Sequence, residues 1–203
     1  MKEIITKSLA NTLSYEAFRK LVSKLLLENK STSNEQSDNL LNYSILNDRR
    51  MKRLDKTIKI TPNTQQSLQN AKGNYTFLVL MESWCGDGAQ TLPILNKMVS
   101  FLPNTDLKIA LRDQNDDLMN EFLTNGGKAI PKVIILDKKN LNPLANWGPR
   151  PSFATKMVLD YKEKNGSLDA DFKKKLQIWY NKDKGITTQK DIIELIQKIE
   201  NAS

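Results

Sequence analysis

The sequence has no histidine and a single cysteine, Cys85, among its 203 residues. Without imidazole, the chain has neither a Ser-His or Cys-His nucleophilic pair nor an imidazole ligand for a metal. With one thiol, it forms neither an internal disulfide nor a cysteine-based zinc site. Any thiol chemistry must therefore be carried by Cys85, with no histidine to activate it.

Long apolar runs are also missing, and aromatic residues make up only 7% of the chain. No stretch approaches the roughly 18 consecutive apolar residues that a membrane-spanning helix needs. The N-terminal segment MKEIITKSLANTLSYEAFRK lacks the apolar centre of a secretion signal. Hydrophobic residues at 39% and charged residues at 27% are typical of a globular domain. We therefore expect a cytoplasmic protein with no cofactor.

Negative charge is in deficit, since 31 basic residues face 23 acidic ones and leave a net charge of +8. The excess is scattered over three stretches, 48–56, 137–140 and 171–176. Nucleic-acid binding would be one explanation of this charge, and solvated lysines on helix surfaces are another. No nucleic-acid-binding motif accompanies the basic stretches, so we expect neither a nucleic-acid nor a membrane partner.

Apolar residues recur at helical spacing towards both ends of the chain. The pattern predicts helices over 15–29, 39–55, 168–182 and 188–200, with a short helix or loop at 62–72. Thr188 and Asp191 have the spacing of a capping box for the last helix. We interpret 1–72 as a helical extension that packs on a core at 73–165, and 166–203 as further helices of the same domain.

The central region alternates between strand and helix patterns. YTFLVLME (75–82) is an almost continuous apolar run, which is typical of a strand buried on both faces. The pattern then predicts a helix at 89–102, a strand at 107–112, a helix at 113–127, strands at 131–137 and 143–147, and a helix capped by Ser152. This β-α-β-α-β-β-α order indicates an α/β fold with a parallel first pair and an antiparallel last pair of strands.

WCGDGAQ (84–90) follows the first strand, and Ile130-Pro131 precedes the third. This order, with Trp84-Cys85-Gly86 at the end of the first strand, resembles the thioredoxin fold. The chain is similar to a bacterial branch of that family whose members share four motifs. W-C-x-D, L-R-D, L-T-N-G-G-x-x-I-P and W-G-P-R-P stand here at 84–87, 111–113, 123–131 and 147–151. The resemblance covers about residues 12–165.

Gly88 is where the sequence departs from a two-cysteine active site. Many members of the branch carry a second cysteine at this position, and others carry a small residue, as this chain does. The resemblance implies that Cys85 is the nucleophile and that Trp84 shields one side of it. It also implies that Pro131 follows a cis peptide bond and shapes a substrate groove facing Cys85.

The electrostatics of the turn are mixed. A helix that begins near Gly86 would offer free N–H groups and a partial positive charge, and both favour a thiolate. Asp87 would disfavour the thiolate if its carboxylate pointed at the sulfur. We expect Asp87 instead to accept a hydrogen bond from the first helical turn. Arg150, in the WGPRP stretch, is a candidate contact for an anionic ligand.

The acidic cluster Asp113, Asp116 and Asp117 matches no calcium-binding loop, and helix capping explains it better than a metal site. Two functions remain open. The first is a monothiol thiol–disulfide oxidoreductase, in which Cys85 forms a mixed disulfide that a protein or small thiol resolves. The second is a redox-inactive thioredoxin-like protein that uses the groove at Ile130 and Pro131 to hold a peptide or client.

Overall fold

A computed structural model describes residues 1–202, which fold around one four-stranded sheet. Its strands are β1 (Tyr75–Met81), β2 (Asp106–Leu111), β3 (Lys132–Asp137) and β4 (Pro143–Trp147). They lie in the order β2-β1-β3-β4. β1 and β2 are parallel, whereas β3 is antiparallel to both β1 and β4. The predicted α/β class and the predicted mixture of strand pairs are confirmed.

Helices precede, connect and follow the strands. They are α1 (Lys2–Leu9), α2 (Tyr15–Leu27), α3 (Asp38–Thr57), α4 (Pro62–Gln69), α5 (Gly86–Val99), α6 (Asp116–Glu121), α7 (Ser152–Asn165), α8 (Ala170–Asp183) and α9 (Ile186–Asn201). The α1 helix was not predicted from the sequence. Within residues 1–202, no helix combines the length and the apolarity needed to cross a membrane.

The central strand β1 anchors the core. All seven of its residues are buried, because α5 and the N-terminal helices cover the sheet in which β1 lies between β2 and β3. Each large apolar side chain buried in this way contributes roughly 1.5–3 kcal/mol of transfer free energy. Phe18 of α2 and Met51 of α3 are fully buried in the same core as β1. The turn at Cys85 therefore begins at the end of a fully buried strand.

The α7–α8 pair has a small hydrophobic cluster of its own. Its buried members are Ala154, Val158, Phe172, Leu176 and Tyr180. The last helix, α9, instead places Ile192 and Ile196 in the main core. Residues 1–202 thus form one large core and one satellite cluster.

The helix predicted over 113–127 is wrong in extent. A 3-10 turn occupies Arg112–Gln114, and α6 runs only from Asp116 to Glu121. Asn115 interrupts the helix with φ −132° and ψ 48°. Beyond α6, the backbones of Thr124 and Gly127 pair with each other around a tight turn. The two glycines therefore belong to that turn and do not end a helix.

The two capping assignments near the C-terminus are also wrong. α9 begins at Ile186, so Thr188 and Asp191 lie inside it. The Asp191 carboxylate accepts hydrogen bonds from Trp147 Nε1 at 3.1 Å, from the Ser152 N–H at 2.7 Å and from Ser152 Oγ at 2.7 Å. Ser152 is the first residue of α7 and does not cap it. Asp191 instead joins α9 to β4 and α7.

Replacing Asp191 should test this junction. We expect Asp191→Ala to lower the free energy of unfolding by about 2 kcal/mol, because hydrogen bonds to a charged acceptor are lost together. Chemical denaturation measures the change. Glu163→Ala, at an exposed site on α7, is the control and should stay within about 0.5 kcal/mol. Equal effects of the two substitutions would contradict the assigned role of Asp191.

Candidate functional site

Cys85 lies at the bend between β1 and α5 and is the N-cap of α5. Its Sγ accepts a hydrogen bond from the Gly88 N–H at 3.3 Å, and its thiol donates to the Ile130 carbonyl oxygen at 3.2 Å. Only 7% of Cys85 is exposed. The thiol therefore links the start of α5 to the loop before β3.

Ile130 and Pro131 are buried, and the peptide bond between them is cis. The 147–151 stretch packs on this loop, with a second cis bond at Gly148–Pro149. Gly148 has φ 113°, and a Cβ there would lie 2.2 Å from the Pro131 carbonyl oxygen. The Ile130 carbonyl, which an extended peptide would need, is engaged by Cys85.

The Asp87 carboxylate is enclosed beside the thiol and holds two partners. Oδ2 lies 2.7 Å from Arg150 Nη2, and Oδ1 accepts a hydrogen bond from the Tyr180 hydroxyl at 2.9 Å. The expectation that Asp87 caps the first turn of α5 is wrong, because Cys85 Sγ fills that role. Arg150 does reach an anion, but the anion is Asp87 itself.

Burial decides the protonation of the thiol. Burial first, and the Asp87 carboxylate second, raise the pKa of Cys85 from 9.0 to about 12. The Gly88 N–H and Arg150 act in the opposite direction and are outweighed. Burial also raises the pKa of Asp87, against the opposing effects of Arg150 and Tyr180. Cys85 is therefore a neutral thiol at pH 7, as its hydrogen bond to Ile130 requires.

Gly88, where a resolving cysteine would stand, could carry a side chain only if Met81 moved. A Cβ there would lie 2.1 Å from Met81 Sδ and 2.5 Å from Met81 Cε. The methionine at the end of β1 thus occupies the space beside the thiol. The packing around Gly88 is therefore consistent with the absence of a second cysteine.

Two helices flank the turn. Gly86 lies between Arg50 of α3 and Gln177 of α8, each 3.5 Å from the position of a Cβ on this glycine. Gln177 also accepts a hydrogen bond from Gln90 at 2.9 Å. Trp84 is half-buried, and the Arg112 guanidinium lies 5.0 Å from its ring centroid. Arg50 and Gln177 therefore place α3 and α8 beside Gly86 in this turn.

Sequence reasoning missed Tyr180, Gln177 and Arg50. Tyr180 is 93 residues from Asp87, and its helical pattern indicated only a buried face. No local motif marks these residues, because each acts through a contact made after the helices have packed. Asp113, expected to cap a helix, accepts hydrogen bonds from Ser33 Oγ at 2.6 Å and the Asn34 N–H at 3.2 Å.

A second buried carboxylate, Glu82, lies three residues before Cys85. It is fully buried, accepts a hydrogen bond from the Asp113 N–H at 3.0 Å and accepts another from the Thr32 hydroxyl. Burial is the main cause that raises its pKa to about 7. Glu82 thus fastens the loop between α2 and α3 to the end of β1.

The raised pKa of Glu82 predicts a pH-dependent stability. Below its ordinary pKa of 4.5 the group is protonated in both states. As the pH rises from there to about 7, the unfolded chain loses this proton first, so the free energy of unfolding falls and then levels off. We expect Glu82→Gln to remove this decline in denaturation series between about pH 5 and pH 8. The exposed Glu121→Gln should retain it, and equal slopes in both variants would contradict the assignment.

The packing of Met81 predicts a contrast between two glycines. Gly88→Ala should cost about 1–3 kcal/mol of unfolding free energy, because Met81 must move. Gly86→Ala, whose Cβ meets only ordinary contacts, should be neutral or slightly stabilising. In a Met81→Ala background the cost of Gly88→Ala should shrink. An unchanged cost in that background would refute the steric explanation.

Comparisons with known proteins agree with this architecture. Residues 33–171 match the protein family described as Thioredoxin. A crystal structure of a protein of unknown function from Pseudomonas aeruginosa is similar, with a TM-score of 0.55, 20% identity, and coverage of 94% of this chain and 99% of that one. An HIV epitope-scaffold is also similar, with a TM-score of 0.54, 21% identity, and coverage of 92% and 99%. No curated protein matches the sequence.

Proposed function

The chain belongs to the thioredoxin family, and from that premise we propose that it is a thioredoxin-like binding protein in which Cys85 is a structural thiol. The observation that carries this proposal is the enclosure of the thiol, which is 7% exposed and hydrogen-bonded to Gly88 and Ile130. Such a thiol connects elements of the fold and is withheld from substrates.

Ionisation supports the same conclusion. The thiolate is the nucleophile in thiol–disulfide exchange. Burial raises the pKa of Cys85 to about 12, so the neutral thiol predominates at pH 7. A second cysteine in the chain would be needed to resolve a mixed disulfide internally, and Gly88 stands in its place. A dithiol cycle needs a thiolate and a second, resolving cysteine, and both are missing while Cys85 is enclosed.

A monothiol oxidoreductase is the second candidate, and the groups that lower the pKa of Cys85 favour it. The Gly88 N–H points at Sγ, and the Arg150 guanidinium lies close enough to lower the pKa. In this mechanism the thiolate attacks one sulfur of a disulfide, and the other sulfur leaves as a thiolate. An external thiolate then attacks the mixed disulfide and releases Cys85. The Arg150–Tyr180 side of the site would have to open first.

The rate of alkylation at neutral pH distinguishes the two functions. At neutral pH we expect iodoacetamide to modify native Cys85 at least about a hundredfold more slowly than the same residue in the urea-unfolded chain, because the thiol is both buried and protonated. Asp87→Asn should raise the rate, since it removes a negative charge that raises the pKa of Cys85. Mass spectrometry after quenching measures both rates.

Cys85→Ser is the control for labelling at other sites and should take up no label. The structural proposal would be overturned if native Cys85 reacted at neutral pH at the rate of the unfolded chain. A mixed disulfide formed readily with a small disulfide under native conditions would have the same consequence, and it would favour the monothiol function.

A further inference from the structure

We infer that a cleft on the far side of Tyr180 binds a small ligand that carries phosphate groups beside an apolar or aromatic moiety. The cleft lies between the end of α3, the segment that follows it and the turn joining α8 to α9. Its volume of about 600 Å³ falls within the range of small-molecule sites. We call it the basic cleft. This inference does not depend on the redox state of Cys85.

Unpaired positive charge lines the basic cleft. Four cations contribute to it, namely Arg53, Lys59, Lys182 and Lys184. Within residues 1–202, none of the four forms an ion pair with a carboxylate. The one acidic residue of the lining, Asp183, accepts hydrogen bonds from the N–H and hydroxyl of Thr187. The cleft therefore concentrates positive charge that an anion could neutralise.

The floor of the basic cleft is apolar. Leu54, Ile58 and Tyr180 line it and are almost fully buried, while Ile186 at the edge is 49% exposed. An apolar floor beneath a charged rim fits a ligand that is itself divided into a ring and an anionic group. Arg53 supplies the planar, bidentate donor that suits a phosphate.

The backbone at Lys184 fixes the position of this residue beside the cleft. Lys184 ends α8 in the left-handed conformation, with φ 54° and ψ 27°, and Gly185 follows with φ 79°. This conformation favours glycine or asparagine over lysine, so backbone preference does not explain why a lysine occupies position 184. A Cβ on Gly185 would lie 2.5 Å from Ile94 Cδ1, so core packing fixes the turn that places Lys184 at the cleft.

The neighbouring cleft between α7 and α9 provides the contrast. It is slightly larger, about 700 Å³, but two of its three cations have carboxylate partners, Lys198 being the exception. Arg150 pairs with Asp87 at 2.7 Å, and Lys156 pairs with Asp160 at 2.9 Å. Asp191 and Glu194 also line this cleft and add negative charge. The excess of positive charge is therefore a property of the basic cleft rather than of concave surfaces in general.

Titration calorimetry with inorganic pyrophosphate and with adenosine triphosphate tests the inference. We expect both to bind at a single site, and the nucleotide to bind more tightly because its base covers the apolar floor. Arg53→Gln and Lys184→Asn should each weaken the binding at least about tenfold, since each removes a charged donor to phosphate. Asparagine is chosen at 184 because it tolerates the left-handed conformation.

Arg49→Gln on α3 and Lys174→Gln on α8 are matched controls that remove the same charge outside the cleft, and their affinities should stay within about twofold. The inference would be overturned if neither probe gave saturable binding, or if the controls lost as much affinity as the cleft variants. It would also be overturned if a single-stranded oligonucleotide bound more tightly than the nucleotide and depended on Lys174. Circular dichroism checks that each variant is folded, and these results are separate from the alkylation of Cys85.

Discussion

The buried carboxylate of Asp87 is the interaction on which the closed site depends. It stands on the first turn of α5 and binds Arg150 from the 147–151 stretch and Tyr180 from α8. Burying a carboxylate this deeply without partners would cost a large desolvation free energy. The two donors offset that cost, so the folded state depends on both of them. Through Asp87, the start of α5 becomes the meeting point of the sheet and the C-terminal helices.

The same group opposes the reactivity that its position suggests. A helix N-terminus stabilises a negative charge by about 1 kcal/mol, which corresponds to less than one pH unit in a pKa. Burial and Asp87 raise the pKa of Cys85 from 9.0 to about 12, so desolvation outweighs the helix. Trp-Cys-Gly at the end of a buried strand is therefore insufficient to indicate a nucleophile. The side chains that enclose it determine its chemistry.

Sequence patterns correctly predicted the elements that local composition determines. The apolar run of β1, the turn at Cys85 and the Ile130-Pro131 stretch were all located correctly in the fold. The partners of Asp87 and Asp191 were not found, because Tyr180 and Trp147 approach them from distant parts of the chain. The helix at 113–127 was extended too far because Asp113 fits a capping pattern, whereas its carboxylate binds the loop at Ser33. Local capping rules fail where a tertiary partner competes for the same acidic group.

The satellite cluster of α7 and α8 has a consequence for the dynamics of the protein. Its apolar residues pack mainly on one another, and hydrogen bonds and ion pairs at Asp87, Gln90 and Asp191 join the pair to the main core. Such a unit opens with a smaller free energy than global unfolding requires, because the sheet and its core stay intact. Tyr180 belongs to this unit and leaves Asp87 when the unit opens, which uncovers one side of the site at Cys85. The thiol is thus a built-in probe of subglobal opening in an otherwise folded chain.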